Sequence, residues 1–321
     1  MTEKPAVLAT RKLPEAVEAR LARDYRARLN PDDAICDTAT ILEKSAGCDA
    51  LLVCPTERID DDLVGKLPQR VRIIATFSVG YEHIDLGAAK RRGIIVTNTP
   101  DVLTASTADL AMLLLLGAAR RAYEAEQILR AGQWGSWATT WMLGTEVAGK
   151  RLGILGMGRI GRSVAQRARG FDMDIHYHNR NRLPPEQEQG ATYHASGEDL
   201  LPHSDFLSIH CPATPKTRHW LNRERIEKLP QGAIVVNTAR GAVVDDEALI
   251  AALTSGRLAA AGLDVYEGEP DINPGYRGIK NAMLLPHIGS ATRETRNAMG
   301  FRCLDNLDAY FAGGEAPNRI A

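Results

Sequence analysis

The stretch RLGILGMGRIGRSVAQRARGF, Arg151 to Phe171, constrains this chain more than any other. A short apolar strand pattern runs straight into Gly156-Met157-Gly158-Arg159-Ile160-Gly161, and a helical pattern follows at once. In that context Gly156 allows a tight turn, Gly158 lets backbone approach a pyrophosphate, and Gly161 permits close helix packing. The diphosphate would rest on the helix N-terminus, where the amides of residues such as Arg159 and Ile160 have no intrahelical partner. A bare strand-to-helix turn is the competing reading, and the flanking strand and helix weigh against it.

Around this stretch, short runs rich in Val, Ile and Leu alternate with longer helical patterns. AVLA, ALLVC, VRIIATFS and GIIVTN fall in the first hundred residues, and RLGILG, DIHYH, FLSIHC, AIVVNT, AAGLDV and AMLLPH follow later. That rhythm predicts βαβ units and parallel sheets, with six strands in the second set, the number in a complete doubly wound dinucleotide sheet. One long helix is expected from Thr104 to about Ala131, and another in the tail from Ala291. A length of 321 residues suits about two domains.

Composition narrows the class of partner. With 39 basic and 40 acidic side chains there is no global field to draw nucleic acid or an anionic membrane, so any anion must be held locally. Five cysteines without CxxC spacing indicate neither a disulfide framework nor a metal site and suit a reducing cytoplasm. The start MTEKPAVLATRK has no apolar signal core, and the longest greasy run, Leu110 to Ala119, is too short for a membrane span.

The end of the second strand of the later set reads DIHYHNRNR. An NAD site there places Asp or Glu to accept bonds from the ribose hydroxyls, yet no acid follows Asp174. A carboxylate would repel a 2′-phosphate, whereas a guanidinium can grip one. Asn179 and Arg180, with Arg182 behind them, therefore predict NADPH in preference to NADH; a solvated basic loop is the plainer alternative.

Three further residues stand at strand ends: Arg240 in VVNTARG, Glu269 in DVYEGEP and His287 in LLPHIGS. Each alone is ordinary, a surface ion pair, a loop carboxylate or a structural histidine. Together they meet the needs of hydride transfer to a 2-keto acid: an anion clamp, a proton donor for the developing alkoxide, and a neighbour that keeps the donor protonated.

With these motifs in place, the chain resembles the D-isomer-specific 2-hydroxyacid dehydrogenases. FSVGYEHIDL, GKRLGILGMGRIG, HCPATPKTRHWLN, VVNTARGAVVDDEAL, AGLDVYEGEP and LLPHIGSAT occur in that family's order and spacing over essentially the whole length. The resemblance implies that Arg240, Glu269 and His287 are the catalytic Arg, Glu and His. It also implies that the amides of Val79 and Gly80 hold the substrate carboxylate, and that Thr107, Cys211, Pro212, Thr217, Thr238, Ala239, Asp264 and Gly289 line the cofactor. VCPTERID aligns with the family's substrate loop, which puts Cys54 among the substrate residues; no Arg or Lys stands there before Arg58, which argues against a phosphate-bearing substrate.

Within the family the chain looks most like the glyoxylate and hydroxypyruvate reductases, which commonly use NADPH; other 2-keto acids, of pyruvate, phenylpyruvate or phosphoglycerate type, stay open. The family also includes co-repressors that keep the dehydrogenase fold, so a nucleotide-sensing interaction protein is the reading from another class. Trp134, Trp137 and Trp141 crowd QWGSWATTWMLG, and rigid amphipathic rings are enriched at interfaces. The resemblance implies a homodimer in which this loop reaches the neighbouring subunit, with Trp141 near its active site. The expected architecture is α/β with two doubly wound parallel-sheet domains: a flavodoxin-like substrate domain of residues 1–101 and 292–321, and an inserted Rossmann cofactor domain of residues 102–291. Substrate would lie between them, with hinge closure excluding water.

Overall fold

The computed structural model describes residues 3–321, which form two compact units. The first runs to Leu103 and takes in Ala291–Ala321; the second is Thr104–Ser290.

In the first unit, strands β1 (Ala6–Ala9), β2 (Arg26–Arg28), β3 (Ala50–Val53), β4 (Ile73–Thr76) and β5 (Ile95–Thr97) form one parallel sheet in the order β2-β1-β3-β4-β5. This is the flavodoxin-like order. The central strands read as unbroken apolar runs because both faces are covered. On one face, Val7, Ala9, Leu52, Ile73 and Ala75 pack under α1 (Glu15–Asp24) and the C-terminal helix Arg293–Phe311. On the other, Leu8, Leu51, Val53 and Ile74 pack under α2 (Thr38–Lys44), α3 (Asp61–Lys66) and α4 (Leu86–Arg91). Asp37, Asp60 and Asp85 cap these three helices through their carboxylates, which satisfies first-turn amides. The fifth strand, β2, goes beyond the four that the sequence announces; Arg-Ala-Arg carries no apolar alternation, and its pairing with β1 makes it a strand. At the opposite edge, the last residues of the chain lie along β5, with Ile320 N–H on the Val96 carbonyl at 2.8 Å and Asn98 N–H on that of Asn318 at 3.2 Å.

The second unit begins with α5 (Thr104–Ala119) and α6 (Ala122–Arg130), so the expected single helix is in fact two. Arg121 breaks it with a left-handed φ of 53°, its guanidinium paired to Glu124, while Thr145 N–H caps the Ala119 carbonyl at 2.8 Å. A sequence pattern could not show that a residue 26 positions beyond Ala119 would cap the helix end. Seven parallel strands follow: β6 (Arg151–Leu155), β7 (Asp174–His178), β8 (Thr192–Tyr193), β9 (Phe206–Ile209), β10 (Ala233–Asn237), β11 (Leu258–Leu263) and β12 (Ala282–Leu284). Their order, β12-β11-β10-β9-β6-β7-β8, is the doubly wound dinucleotide order with one strand added. The strand absent from the sequence reading is β8, two residues long and defined by pairing with His176 and Tyr177. After β6 comes α7 (Arg159–Arg169), which packs against α5. Every loop that follows a central strand therefore opens on one edge of the sheet, the carboxyl edge, where ligands bind in open α/β folds. Among the described residues no helix is long and apolar enough to cross a membrane, and no group of three or more His, Cys, Asp or Glu could hold a metal ion.

Candidate active site

Strand β6 delivers the chain to Gly156 at φ 102°, a region that L side chains rarely adopt. A Cβ there would lie 2.7 Å from the Cys211 nitrogen, and one at Gly161 would lie 2.3 Å from the Gly156 carbonyl oxygen, so neither position admits a side chain. Gly158, by contrast, faces open space and caps α7, an eleven-residue helix whose dipole favours an anion. Ile160 packs its side chain on the core below, which leaves its backbone as its contribution to the loop. Two buried polar atoms on neighbouring strand ends have no partner: Oγ1 of Thr238, after β10, and Nδ1 of His210, after β9. Buried polar groups in native proteins are seldom left unpaired, and a polar ligand over this edge would satisfy such atoms. The close-packed glycines, the open Gly158 and the orphaned Thr238 hydroxyl fit a dinucleotide. The loop between β9 and Trp220 is folded by Thr217, whose hydroxyl donates to the Pro212 carbonyl at 2.7 Å and accepts from Thr214 N–H at 2.8 Å. Burial pushes the Cys211 thiol up to about 11, so it stays a neutral packing group.

At the end of β7, Asn179 accepts the Met157 N–H at 2.7 Å, so the side chain where an acid would sit instead braces the glycine loop. Arg180 is exposed. Arg182 is bidentate on Glu188 at 2.8 and 3.1 Å, beside the Tyr193 ring, and Tyr177 donates to the same carboxylate at 2.6 Å. These two donors hold the Glu188 carboxyl below its usual range. Its guanidinium so engaged, Arg182 serves this loop's own structure, and the case for a phosphate contact narrows to Arg180 and the Asn179 amide.

The three strand-end residues all follow strands of this same unit. Asn237, almost fully buried at the end of β10, shapes the next turn: its amide donates to the Arg240 carbonyl and its oxygen accepts from Ala239 N–H, both at 3.0 Å. Arg240 donates from Nη1 to the Ala239 carbonyl at 2.7 Å. A Cβ on Gly241 would sit 1.8 Å from the Tyr266 carbonyl carbon, so this turn lies hard against the loop that carries Glu269. His287 Nδ1 and Glu269 Oε1 are 2.8 Å apart, which leaves Nε2 for a reacting oxygen. Asp264, 1 % exposed, places the histidine: its carboxylate accepts Ile288 N–H at 2.7 Å and Gly289 N–H at 2.8 Å, and its carbonyl accepts His287 N–H at 2.9 Å. Burial raises the Asp264 pKa and the two amides oppose that rise. Thr107 Oγ1, on α5, donates to the Gly289 carbonyl at 3.3 Å.

One residue of this neighbourhood goes unread in the sequence. Glu267 accepts from His219 at 2.6 Å and from Arg218 at 2.5 Å, which ties the loop after β9 to the loop after β11. These partners hold its carboxyl below the ordinary range. Sequence reading singled out Glu269 and passed over Glu267; in the fold Glu267 faces His219 and Glu269 faces His287.

In the first unit, Cys54 follows β3, and Val79 and Gly80 follow β4. Cys54 N–H donates to Glu57 Oε2 at 2.7 Å, and burial pushes its thiol up to about 12. Although this loop itself has no cation before Arg58, the fold brings Arg11 to it from the end of β1, with Nη1 on the Thr56 hydroxyl at 2.9 Å. That guanidinium is also bidentate on Asp33, at 2.8 and 3.0 Å. On α6 and the arm after it, Leu129, Trp134, Trp137, Trp141 and Leu143 are all exposed, Trp137 at 78 %.

Residues 112–289 match the family model described as D-isomer specific 2-hydroxyacid dehydrogenase, NAD binding domain. The chain is 44 % identical over 320 residues to a glycerate dehydrogenase of Hyphomicrobium methylovorum, covering 99 % of both. It is 46 % identical over 319 residues to a glyoxylate reductase of Thermococcus kodakarensis, covering 98 % of this chain and 95 % of that one. A solved NADPH-dependent glyoxylate/hydroxypyruvate reductase of Sinorhizobium meliloti, in complex with NADP and malonate, superposes with a TM-score of 0.88 at 34 % identity, covering 99 % and 97 %. With its two parallel sheets, its glycine loop and its His–Glu pair, the chain belongs to the D-isomer specific 2-hydroxyacid dehydrogenases.

Proposed function

We propose that this enzyme reduces glyoxylate and hydroxypyruvate to the 2-hydroxy acid with NADPH. The observation that carries the reading is the 2.8 Å contact of His287 Nδ1 with Glu269, on the carboxyl edge of the sheet that bears the glycine loop. A bound nicotinamide supplies the hydride to C2 of the keto acid. Arg240 and the amides of Val79 and Gly80 hold the carboxylate. His287 gives the proton from Nε2 to the oxygen as it gains charge, and Glu269 holds Nδ1–H so that the imidazole keeps one orientation and one tautomer. In the reverse direction the same nitrogen takes the proton from the hydroxyl.

Preference for NADPH rests on the missing acid after β7 and on the exposed Arg180 there. The Sinorhizobium relative is NADPH-dependent, and two curated relatives act on glyoxylate or glycerate by their names, which supports small substrates. The exposed tryptophan arm supports a homodimer in which Trp141 serves the neighbouring subunit; sedimentation at the mass of one chain would remove that part. Five free thiols suit a reducing cytoplasm.

The deciding measurement is kcat/KM for glyoxylate, hydroxypyruvate, pyruvate and phenylpyruvate with NADPH and with NADH. Fastest turnover is expected for the first two acids with NADPH. No oxidation of either cofactor above background would sink the enzyme reading, and a higher kcat/KM with NADH would sink the cofactor part.

A further inference from the structure

The turn after β4, Ser78-Val79-Gly80-Tyr81, is held by bonds to its carbonyls. Thr99 N–H donates to the Ser78 carbonyl at 2.9 Å, the Asn98 amide to that of Val79 at 2.8 Å, and the Ser78 hydroxyl to that of Gly80 at 2.6 Å. In a trans peptide the C=O and the next N–H point in opposite directions. Each carbonyl drawn toward its donor therefore turns the following N–H, those of Val79, Gly80 and Tyr81 in succession, away from that donor. None of the three has an acceptor among the described residues. Consecutive free amides of this kind form an anion-binding concavity.

The hydroxyl that draws on Gly80 is itself set by a buried relay. Thr76 Oγ1, on β4 and wholly buried, lies 2.8 Å from Ser78 Oγ and 2.9 Å from His83 Nε2. Proton counting fixes the direction of every bond. Ser78 has one hydroxyl proton, given to a carbonyl that can only accept, so Thr76 must donate to Ser78. Thr76 has then given its own proton, so His83 must donate from Nε2. The chain runs one way, His83 to Thr76 to Ser78 to the Gly80 carbonyl, and hydrogen bonds aligned like this polarise one another.

We propose that His83, Thr76, Ser78 and Asn98 are positioning residues that present the amides of Val79, Gly80 and Tyr81 as a three-donor cradle for the carboxylate of the 2-keto acid. The inference rests on the function proposed above and adds to it a third amide and the machinery that aims all three. None of the four side chains needs to touch substrate.

The test compares Thr76→Val, which keeps shape and β-branching but removes the hydroxyl, with Thr76→Ser, which restores it. For Thr76→Val, KM for glyoxylate should rise about fivefold or more, the weight of roughly one net hydrogen bond, with kcat and the cofactor KM within about twofold of wild type. Thr76→Ser should stay within about twofold in all three. Ser78→Ala repeats the measurement if Thr76→Val does not fold, as judged by thermal unfolding. An unchanged glyoxylate KM, an equal rise in cofactor KM, or a Thr76→Ser variant as impaired as Thr76→Val would overturn the proposal. Wild-type protein that turns over no 2-keto acid would instead remove the function on which it rests, so the two failures read differently.

Discussion

His287 has a backbone φ of 55°, which costs a non-glycine residue free energy, and Asp264 holds it there by gripping the two amides that follow. That expense makes sense if one ring nitrogen must meet a reacting oxygen while the other meets Glu269. His287→Ala should therefore lower kcat by roughly 10²-fold or more, with the NADPH dissociation constant nearly unchanged, as titrated by the cofactor's fluorescence. Equal losses in both would mean that the imidazole holds cofactor. Arg180 poses a different question, because the Arg182 guanidinium is bidentate on Glu188 and Asn179 braces the glycine loop. Arg180→Ala should raise KM for NADPH about tenfold or more, the weight of a charge-assisted contact, and leave KM for NADH within about twofold. A matching change for both cofactors would return the stretch to a solvated loop.

Between elements, the sharpest constraint is the crossing of the turn after β10 with the loop after β11. A side chain at Gly241 has nowhere to go, since its Cβ would meet the Tyr266–Glu267 peptide at 1.8 to 2.2 Å. Gly241→Ala should separate Arg240 from Glu269 and cost on the order of 10²-fold in kcat/KM, since a misplacement of about 1 Å can cost that much. The protein should stay folded by circular dichroism, and near-wild-type kcat/KM would show that the two loops need not touch. What could be read from residues alone follows the same division. The glycine loop, the strands from β6 onward except β8, and the three strand-end residues were legible because each carries a local signature: glycine spacing, unbroken apolar runs, a charged residue just past a strand. The strands Arg26–Arg28 and Thr192–Tyr193 were not, because pairing rather than pattern makes them strands. The halves of Thr104–Arg130 part at Arg121 through a contact from Thr145, and Arg11 reaches Thr56 across 45 positions; neither leaves a mark in nearby sequence.

For the whole molecule, histidine burial sets an acid limit. Burial lowers His210 from 6.5 to about 4, and its Nδ1 has no partner to welcome a proton. His194 shifts the same way, by burial first and then by His176, His203 and His178, against Asp199. A histidine with a lowered folded pKa binds protons more tightly in the unfolded chain. Such a group costs the folded state nothing above about 6.5 and a growing penalty as pH falls toward 4. The urea midpoint should drop between pH 7 and pH 5, and His210→Gln should flatten the drop; identical slopes would show that other groups set the limit. The discontinuity of the first unit has a consequence for how the chain comes off the ribosome. Its sheet is complete by Thr97, but the helix Arg293–Phe311 that covers Ile73 and Ala75, and the residues that line β5, are made only after all of Thr104–Ser290. The second unit is one continuous stretch and can close its core as it emerges, whereas the first must wait with one edge bare and one face covered only by α1. A nascent chain of this design carries an open strand edge and part of an apolar face in the unit that is synthesised first.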